Sequence, residues 1–417
     1  MSVGSINRRT FTVGAAALTA GAVASPYVRR AGAQGAPIRV GVINSMSGSL
    51  AAYSQEGHPA FVYLIDKINA EGGIKSMGGA KIELVMADDT SQPARTATEA
   101  RRLITEEKVD LLTGSLLSAQ MLAISPVLDE LQQPCLSVWA GGSKSPFLYT
   151  LGYHYDRGYA KSMADFAVFL RDKKGFALKT FTPCYSNYEA GQQTNNFLVD
   201  RMKKAGFEVL GEAPLDTKAQ DQTPAMIRIR SMKPDLVMGL VTPRDGILMH
   251  QARYNLAYHN SIFAGGTGGY SDLTLWRDLS PDIAKAVLTR NLFAMTGFSA
   301  SANISGMQKI VTELRDVAKL KLIGQSAIQS AQAARVVQRV LEAAGSRDKK
   351  ALLEGFKKLD IKFGDPDLYL SKPSGLKFAD DRLLEDGSAM FVQWMENQSQ
   401  QVIFPDQFAN AQPRAKA

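Results

Sequence analysis

The chain is poor in the residues that do covalent and metal chemistry. It has two cysteines and four histidines among 417 residues. His58, His154, His250 and His259 lack metal-ligand spacing, and Cys135 and Cys184 alone make no zinc site. No G-x-S-x-G elbow, G-x-x-x-x-G-K-[ST] loop or H-E-x-x-H helix occurs. Gly266-Thr267-Gly268 comes late in the chain and lacks the acid that a dinucleotide site needs. No catalytic residue, metal or cofactor is therefore expected. Basic pairs such as Arg101-Arg102 and Lys203-Lys204 are scattered and near acids. A nucleic-acid stripe is missing, and nucleic acid is not an expected partner. Beyond residue 33 no apolar run reaches the ~20 residues that span a bilayer.

The N-terminus carries the first positive signal. Arg8-Arg9 precedes an alanine-rich apolar run from Val13 to Val28, then Arg29-Arg30 and Ala31-Gly32-Ala33. The order resembles a twin-arginine signal peptide over residues 1–33, cleaved near Ala33. Its run holds Gly14, Gly21 and Pro26, too broken for a spanning helix. A periplasmic protein is implied. Residues 1–33 contain four arginines and no acids, so the net charge of +8 falls to +4 on cleavage. An exported protein can form disulfides. Cys135 and Cys184 fall in separate presumed lobes, and two free, buried thiols are favoured over a bridge.

The mature chain alternates strand and helix. Strands are expected at Ile38–Ile43, Ile82–Met86, Val109–Thr113 and Pro134–Val138, with helices between them. The rhythm restarts with strands at Lys179–Cys184, Glu208–Leu210, Leu236–Leu240 and Ser261–Ala264. A long helix covers Ser326–Ala344 before Gly345. A strand pair, Ala389–Met395 and Gln401–Phe404, closes the pattern. Such alternation predicts an α/β fold of two lobes, each a mostly parallel sheet flanked by helices. Lobe I is expected over 36–154 plus about 289–370. Lobe II is expected over 155–288 plus about 371–405, and 406–417 reads as a disordered tail.

Ligands bind such sheets outside the carboxyl ends of the strands. The loops there are rich in hydroxyls, aromatics and glycine. They include Ser45–Ser49 with Tyr53, Gly114–Ser118, Trp139–Ser143, Tyr185–Tyr188, Thr242–Asp245 and Gly265–Tyr270. Hydroxyls at helix starts suit an anion. Asp88-Asp89 reads as helix capping and lobe packing rather than a metal site.

Ser47-Gly48 followed by Tyr53, then Ile68-Asn69-Ala70-Glu71-Gly72-Gly73-Ile74, then Asp88-Asp89 with Pro93, resemble one family in order and spacing. It is the periplasmic solute-binding proteins of ABC importers, of the Leu/Ile/Val-binding type. The weaker Asn187-Tyr188 with Gly191, Ala205-Gly206 and Lys233-Pro234-Asp235 extend the resemblance over nearly the whole mature chain. It implies a type I two-lobed fold with a multi-strand hinge, a non-enzymatic role and a monomer. It also implies delivery of a small molecule to an inner-membrane permease and ATPase complex.

The same resemblance implies site residues. Tyr53 packs on the ligand and Ser118 binds its carboxylate. Backbone groups of Trp139, Ala140 and Gly141 hold it, with Ser143 the nearest hydroxyl. Ser47, Tyr188 and Tyr270 complete the expected site. Amino-acid binders of the family hold the ammonium with a glutamate and a tyrosine. The matching positions read Thr267 and about Val241-Thr242. An ammonium buried without a counter-charge is costly. The expected ligand is thus a carboxylate or amide, aromatic or otherwise apolar, rather than a normally bound α-amino acid. Two alternatives stay open: an exported sensing module for a receptor or kinase, and a branched-chain amino acid receptor with a remodelled ammonium site.

Overall fold

The computed structural model describes residues 36–139, 141–142 and 145–414. The signal peptide expected over 1–33, and Ala140 and Ser143 of the expected site, lie outside them. No described helix is long and apolar enough to cross a membrane.

The first lobe is built on five parallel strands: β1 (Ile38–Asn44), β2 (Ile82–Asp88), β3 (Leu111–Gly114), β4 (Cys135–Ser137) and β5 (Leu148–Thr150). Their order is β2-β1-β3-β4-β5. Val40 pairs with Leu84 on one side and Leu111 on the other. The crossover helices are α1 (Ala51–Ala70), α2 (Pro93–Thr105) and α3 (Ser118–Leu131). On α1 the spacing of Phe61, Leu64, Ile65 and Ile68 puts four apolar side chains on one buried stripe. Because β2 and β3 flank β1, the chain leaves the sheet to opposite faces at that point. A crevice opens there, at the strands' carboxyl ends.

The second lobe begins with a π-helical turn over Tyr155–Ala160 and continues into α4 (Lys161–Val168). Then come β6 (Thr180–Ser186), α5 (Glu189–Lys204), β7 (Glu208–Val209), β8 (Ala213–Leu215), α6 (Thr223–Met232) and β9 (Leu236–Leu240). They are followed by α7 (Pro243–Asn255), β10 (Ile262–Gly266), α8 (Gly268–Ser271), α9 (Leu275–Asp278), α10 (Pro281–Leu288) and β11 (Leu292–Thr296). The chain returns to the first lobe with α11 (Ser305–Asp316), α12 (Gln325–Ala344) and α13 (Lys349–Lys357). It ends on β12 (Met390–Trp394) and β13 (Gln400–Phe404). The second sheet runs β13-β12-β11-β10-β9-β6-β7, with β8 beside β6. Its last two strands are antiparallel. Three segments cross between the lobes, around 151–155, 297–304 and 385–389.

The two-lobed type I α/β fold is as expected; three boundaries are not. Residues 371–384, expected in the second lobe, stay with the first, where Leu376 pairs with Ile361 and Leu383 with Thr150. Residues 289–296 do not belong to the first lobe. Phe263 pairs with Leu292 and Gly266 with Met295, so β11 is a core strand of the second sheet. Nor are residues 406–414 a loose tail. Phe408 is 1% exposed. The Asn410 and Ala411 amides bond Val402, and the Arg414 amide bonds the Gln393 side chain. One buried aromatic in a polar stretch anchors it. Cys135 and Cys184 are free and buried, in the cores of separate sheets. Burial raises both thiols, that of Cys184 to about 12.

Candidate functional site

Between the lobes lies a cavity of about 1070 Å³ of empty space, part of it open to solvent. Tyr53, Ser118, Trp139 and Gly141 line it from the first lobe; Tyr155, Tyr159, Tyr188 and Thr267 line it from the second. The rings of Tyr53 and Trp139 meet edge to face, 5.5 Å apart. Burial, first of all, pushes the Tyr53 hydroxyl up to about 12, helped by the charges of Asp272 and Glu56. Burial also raises Tyr155, Tyr159 and Tyr188, so these phenols remain neutral donors. Seven of the described lining residues are aromatic, and Glu56 and Asp272 are the ionisable carboxylates among them.

Ser118 is the first residue of α3. Its Oγ lies 2.8 Å from the hydroxyl of Tyr155, so a hydrogen bond joins the lobes across the cavity. The helix start is held by Gln120, which is 1% exposed. Gln120 Oε1 accepts the Leu117 amide, and its Nε2 donates to Ser45 Oγ and to Asp89 Oδ2, all at 2.9 Å. Asp89 also accepts Thr96 Oγ1 and the Ser91 amide. It ties β1, α2 and α3 together, the packing role expected of it. Gly141 is required by close approach: a Cβ there would lie 2.0 Å from the Tyr153 carbonyl oxygen.

Six of the expected residues thus meet at one cavity: Tyr53, Ser118, Trp139, Gly141, Tyr188 and Thr267. Three do not. Ser47 donates to Asp88 Oδ2 at 2.9 Å on an exposed turn; it braces the loop rather than facing the cavity. Thr242 caps α7 and donates to Asp245 Oδ2 at 2.9 Å. Tyr270 lies in α8 and is fully buried, and its carbonyl accepts Trp394 Nε1 at 2.8 Å. Thr267 reaches the cavity, but its hydroxyl donates to the Val241 carbonyl. It sits at φ 65°, in the left-handed region that a β-branched residue rarely adopts.

Sequence reasoning missed Glu56, Tyr155, Tyr159, Asp272, Phe298 and Gln325, all of which line the cavity. Tyr155 ends the first interlobe crossing, Tyr159 follows it in the π-helical turn, and Phe298 belongs to the second crossing. Neither crossing follows a strand end in the expected set. Glu56 lies one turn beyond Tyr53 on α1. Its Oε1 accepts the amides of Gly324 and Ala327 at 2.9 and 3.1 Å, at the start of α12. Burial raises the Glu56 carboxyl and the charge of Asp272 adds to the rise, while the backbone amides oppose it.

A two-lobed α/β chain with a ligand-sized cleft at the strand ends matches the family model described as periplasmic binding protein, over residues 37–394. This chain belongs to the periplasmic binding protein family. The Leu/Ile/Val-binding protein homolog 8 of Brucella abortus is 24% identical, with 91% of this chain and 94% of that protein covered. Two solved structures share the fold of this periplasmic binding protein. One is the solute-binding protein of an ABC transporter from Rhodopseudomonas palustris, in complex with p-hydroxybenzoic acid. It has a TM-score of 0.70 at 20% identity, covering 91% of this chain and 96% of that one. The other is the branched-chain amino acid transporter protein LivJ of Streptococcus pneumoniae, in complex with isoleucine. It has a TM-score of 0.71 at 17% identity, covering 88% and 100%.

Proposed function

We propose that this protein is the solute-binding component of an ABC importer, and that its cleft captures a small aromatic carboxylate or amide. The observation that carries the ligand class is the tyrosine- and tryptophan-walled cavity around Ser118 at the start of α3. Ring faces suit a planar ligand. A hydroxyl and the free amides of a helix N-terminus suit its anionic end. The position where amino-acid binders of this type carry a glutamate is Thr267, whose hydroxyl is already spent on Val241. The p-hydroxybenzoic acid bound by the Rhodopseudomonas palustris protein supports the same class.

Binding between the lobes favours the closed form to the extent that both lobes contact the ligand. The closed form then docks on a permease and its ATPases in the inner membrane, with the receptor exported by the twin-arginine signal at residues 1–33. The test is uptake of ring-labelled para-hydroxybenzoate and benzamide in cells with and without the gene. Loss of uptake of either in the deletion strain, restored by the wild-type gene, supports import. Unchanged uptake of both, with no binding of either to the purified protein, contradicts it.

A further inference from the structure

Two carboxylates stand in the wall of the cavity, one from each lobe. Glu56 comes from α1, and Asp272 directly follows α8. Among the described lining residues there is no lysine, arginine or histidine. Glu56 lies one turn beyond Tyr53 on α1, and Tyr53, Trp139 and both acids line the same cavity. The two carboxylates and the Tyr53–Trp139 ring pair thus belong to one cavity wall.

Each carboxylate is partly engaged. Glu56 Oε1 takes the Gly324 and Ala327 amides, and the positive end of α12 offsets part of its charge. Asp272 Oδ1 takes the Thr274 amide at 2.8 Å. An ionised carboxylate offers about four acceptor positions, so capacity remains on both. Carboxylates enclosed by lobe closure are costly unless a donor or cation meets them. Aromatic faces beside them add to the attraction for a cation. Trp139 belongs to the same wall. Trp139 is 9% exposed, and its Nε1 has no acceptor among the described residues. With the Ser118 hydroxyl at the start of α3 suited to an acceptor end, a ligand with one acceptor end and one cationic end fits this wall.

We propose that Glu56 and Asp272 are specificity-determining residues that receive a protonated amine. The preferred solute is then an aromatic acid whose amine is carried on an alkyl substituent of the ring, apart from its carboxylate. This rests on the reading of the cleft as a site for aromatic carboxylates. It differs from the α-amino acid arrangement, in which both charges sit on one carbon.

The test is calorimetry at neutral pH on the mature protein dialysed free of bound solute. The probes are benzoate, para-hydroxybenzoate, para-(aminomethyl)benzoate and benzylamine. A charge-assisted hydrogen bond corresponds to about tenfold or more in affinity. The aminomethyl acid is expected to bind about tenfold or more tighter than benzoate or para-hydroxybenzoate. Asp272→Asn and Glu56→Gln are each expected to erase most of that gain, with a fold-loss for the aminomethyl acid that clearly exceeds any change for benzoate. Asp272→Asn decides the matter if loss of the α12 contact unfolds the Glu56 variant. Equal affinity for the aminomethyl acid and benzoate overturns the proposal, as does an equal loss for both ligands in the variants. Benzylamine binding that Asp272→Asn abolishes, with no binding of the two plain acids, upholds the amine subsite and sinks the aromatic-carboxylate reading. Binding of none of the four sinks both.

Discussion

Ser118 concentrates the residue-scale argument. Its hydroxyl reaches Tyr155 from the start of a helix whose first turn is fixed by Gln120. A hydrogen bond to a charged group contributes roughly 1.5–3 kcal/mol. Ser118→Ala is therefore expected to weaken binding of an aromatic carboxylate about tenfold to a hundredfold, read by calorimetry. Unchanged affinity would remove Ser118 from the site. A second residue, His250, reports on stability. It is fully buried; Nε2 lies 2.9 Å from the Gly269 carbonyl and Nδ1 3.1 Å from Arg253 Nη1. Burial, then the Arg253 charge, lowers its pKa from 6.5 to about 3. Because the folded value is the lower one, the unfolded chain takes up the proton first. Stability from this group is intact above about pH 6.5 and falls as pH drops toward 3, by up to about 1.4 kcal/mol per pH unit. Urea unfolding between pH 7 and pH 4.5 checks this. His250→Gln should have a shallower slope than the wild type, and an equal slope would refute the assignment. Ser118 and Trp139 were legible because each lies just past a strand end, and Tyr53 because of its spacing after Ser47-Gly48. Glu56 was not, because its cavity role depends on a contact with Gly324, 268 residues away in the chain.

At the scale of elements, the strands that are continuous apolar runs were the easy ones. Leu236–Leu240 is buried at every position and was read to the residue. Leu292–Thr296 is equally buried but follows α10 almost directly, with no glycine or proline to announce it. Its omission moved a lobe boundary. β5 is three residues long, too short for any period to show. On α11 the buried Met307, Ile310 and Leu314 do carry a helical spacing, and the sequence reading still leaves it out. The end of β3 makes a sharper demand. Gly114 has φ 155°, and a Cβ on it would lie 1.8 Å from the Ile43 carbonyl oxygen on β1. Gly114→Ala is expected to destabilise the fold by more than about 1 kcal/mol. The urea midpoint measures it, and an unchanged midpoint would mean that β1 and β3 can part locally without loss.

For the whole molecule, the argument is that two lobes meet over a ligand that both of them touch. The export reading belongs to this scale too. Replacing Arg8 and Arg9 with lysine is expected to leave unprocessed precursor in the cytoplasm, seen by fractionation and immunoblot. Normal accumulation outside the cytoplasm would exclude the twin-arginine route. The family-level fold was legible because the βα rhythm and the Ser47-to-Pro93 motif series run through the first lobe. The ligand was less so, because the cavity wall draws on crossing segments that have no strand-end signature. The measurement that bears most directly on the central claim is a thermal-shift panel of the mature protein. It compares aromatic acids, including para-hydroxybenzoate and para-(aminomethyl)benzoate, with leucine, isoleucine and valine. A ligand at 100 times its dissociation constant adds about 2.7 kcal/mol of stability. The account predicts clear stabilisation by at least one aromatic acid, lost in Ser118→Ala, and little or none by the branched-chain amino acids. Strong stabilisation by leucine with none by any aromatic acid would contradict it.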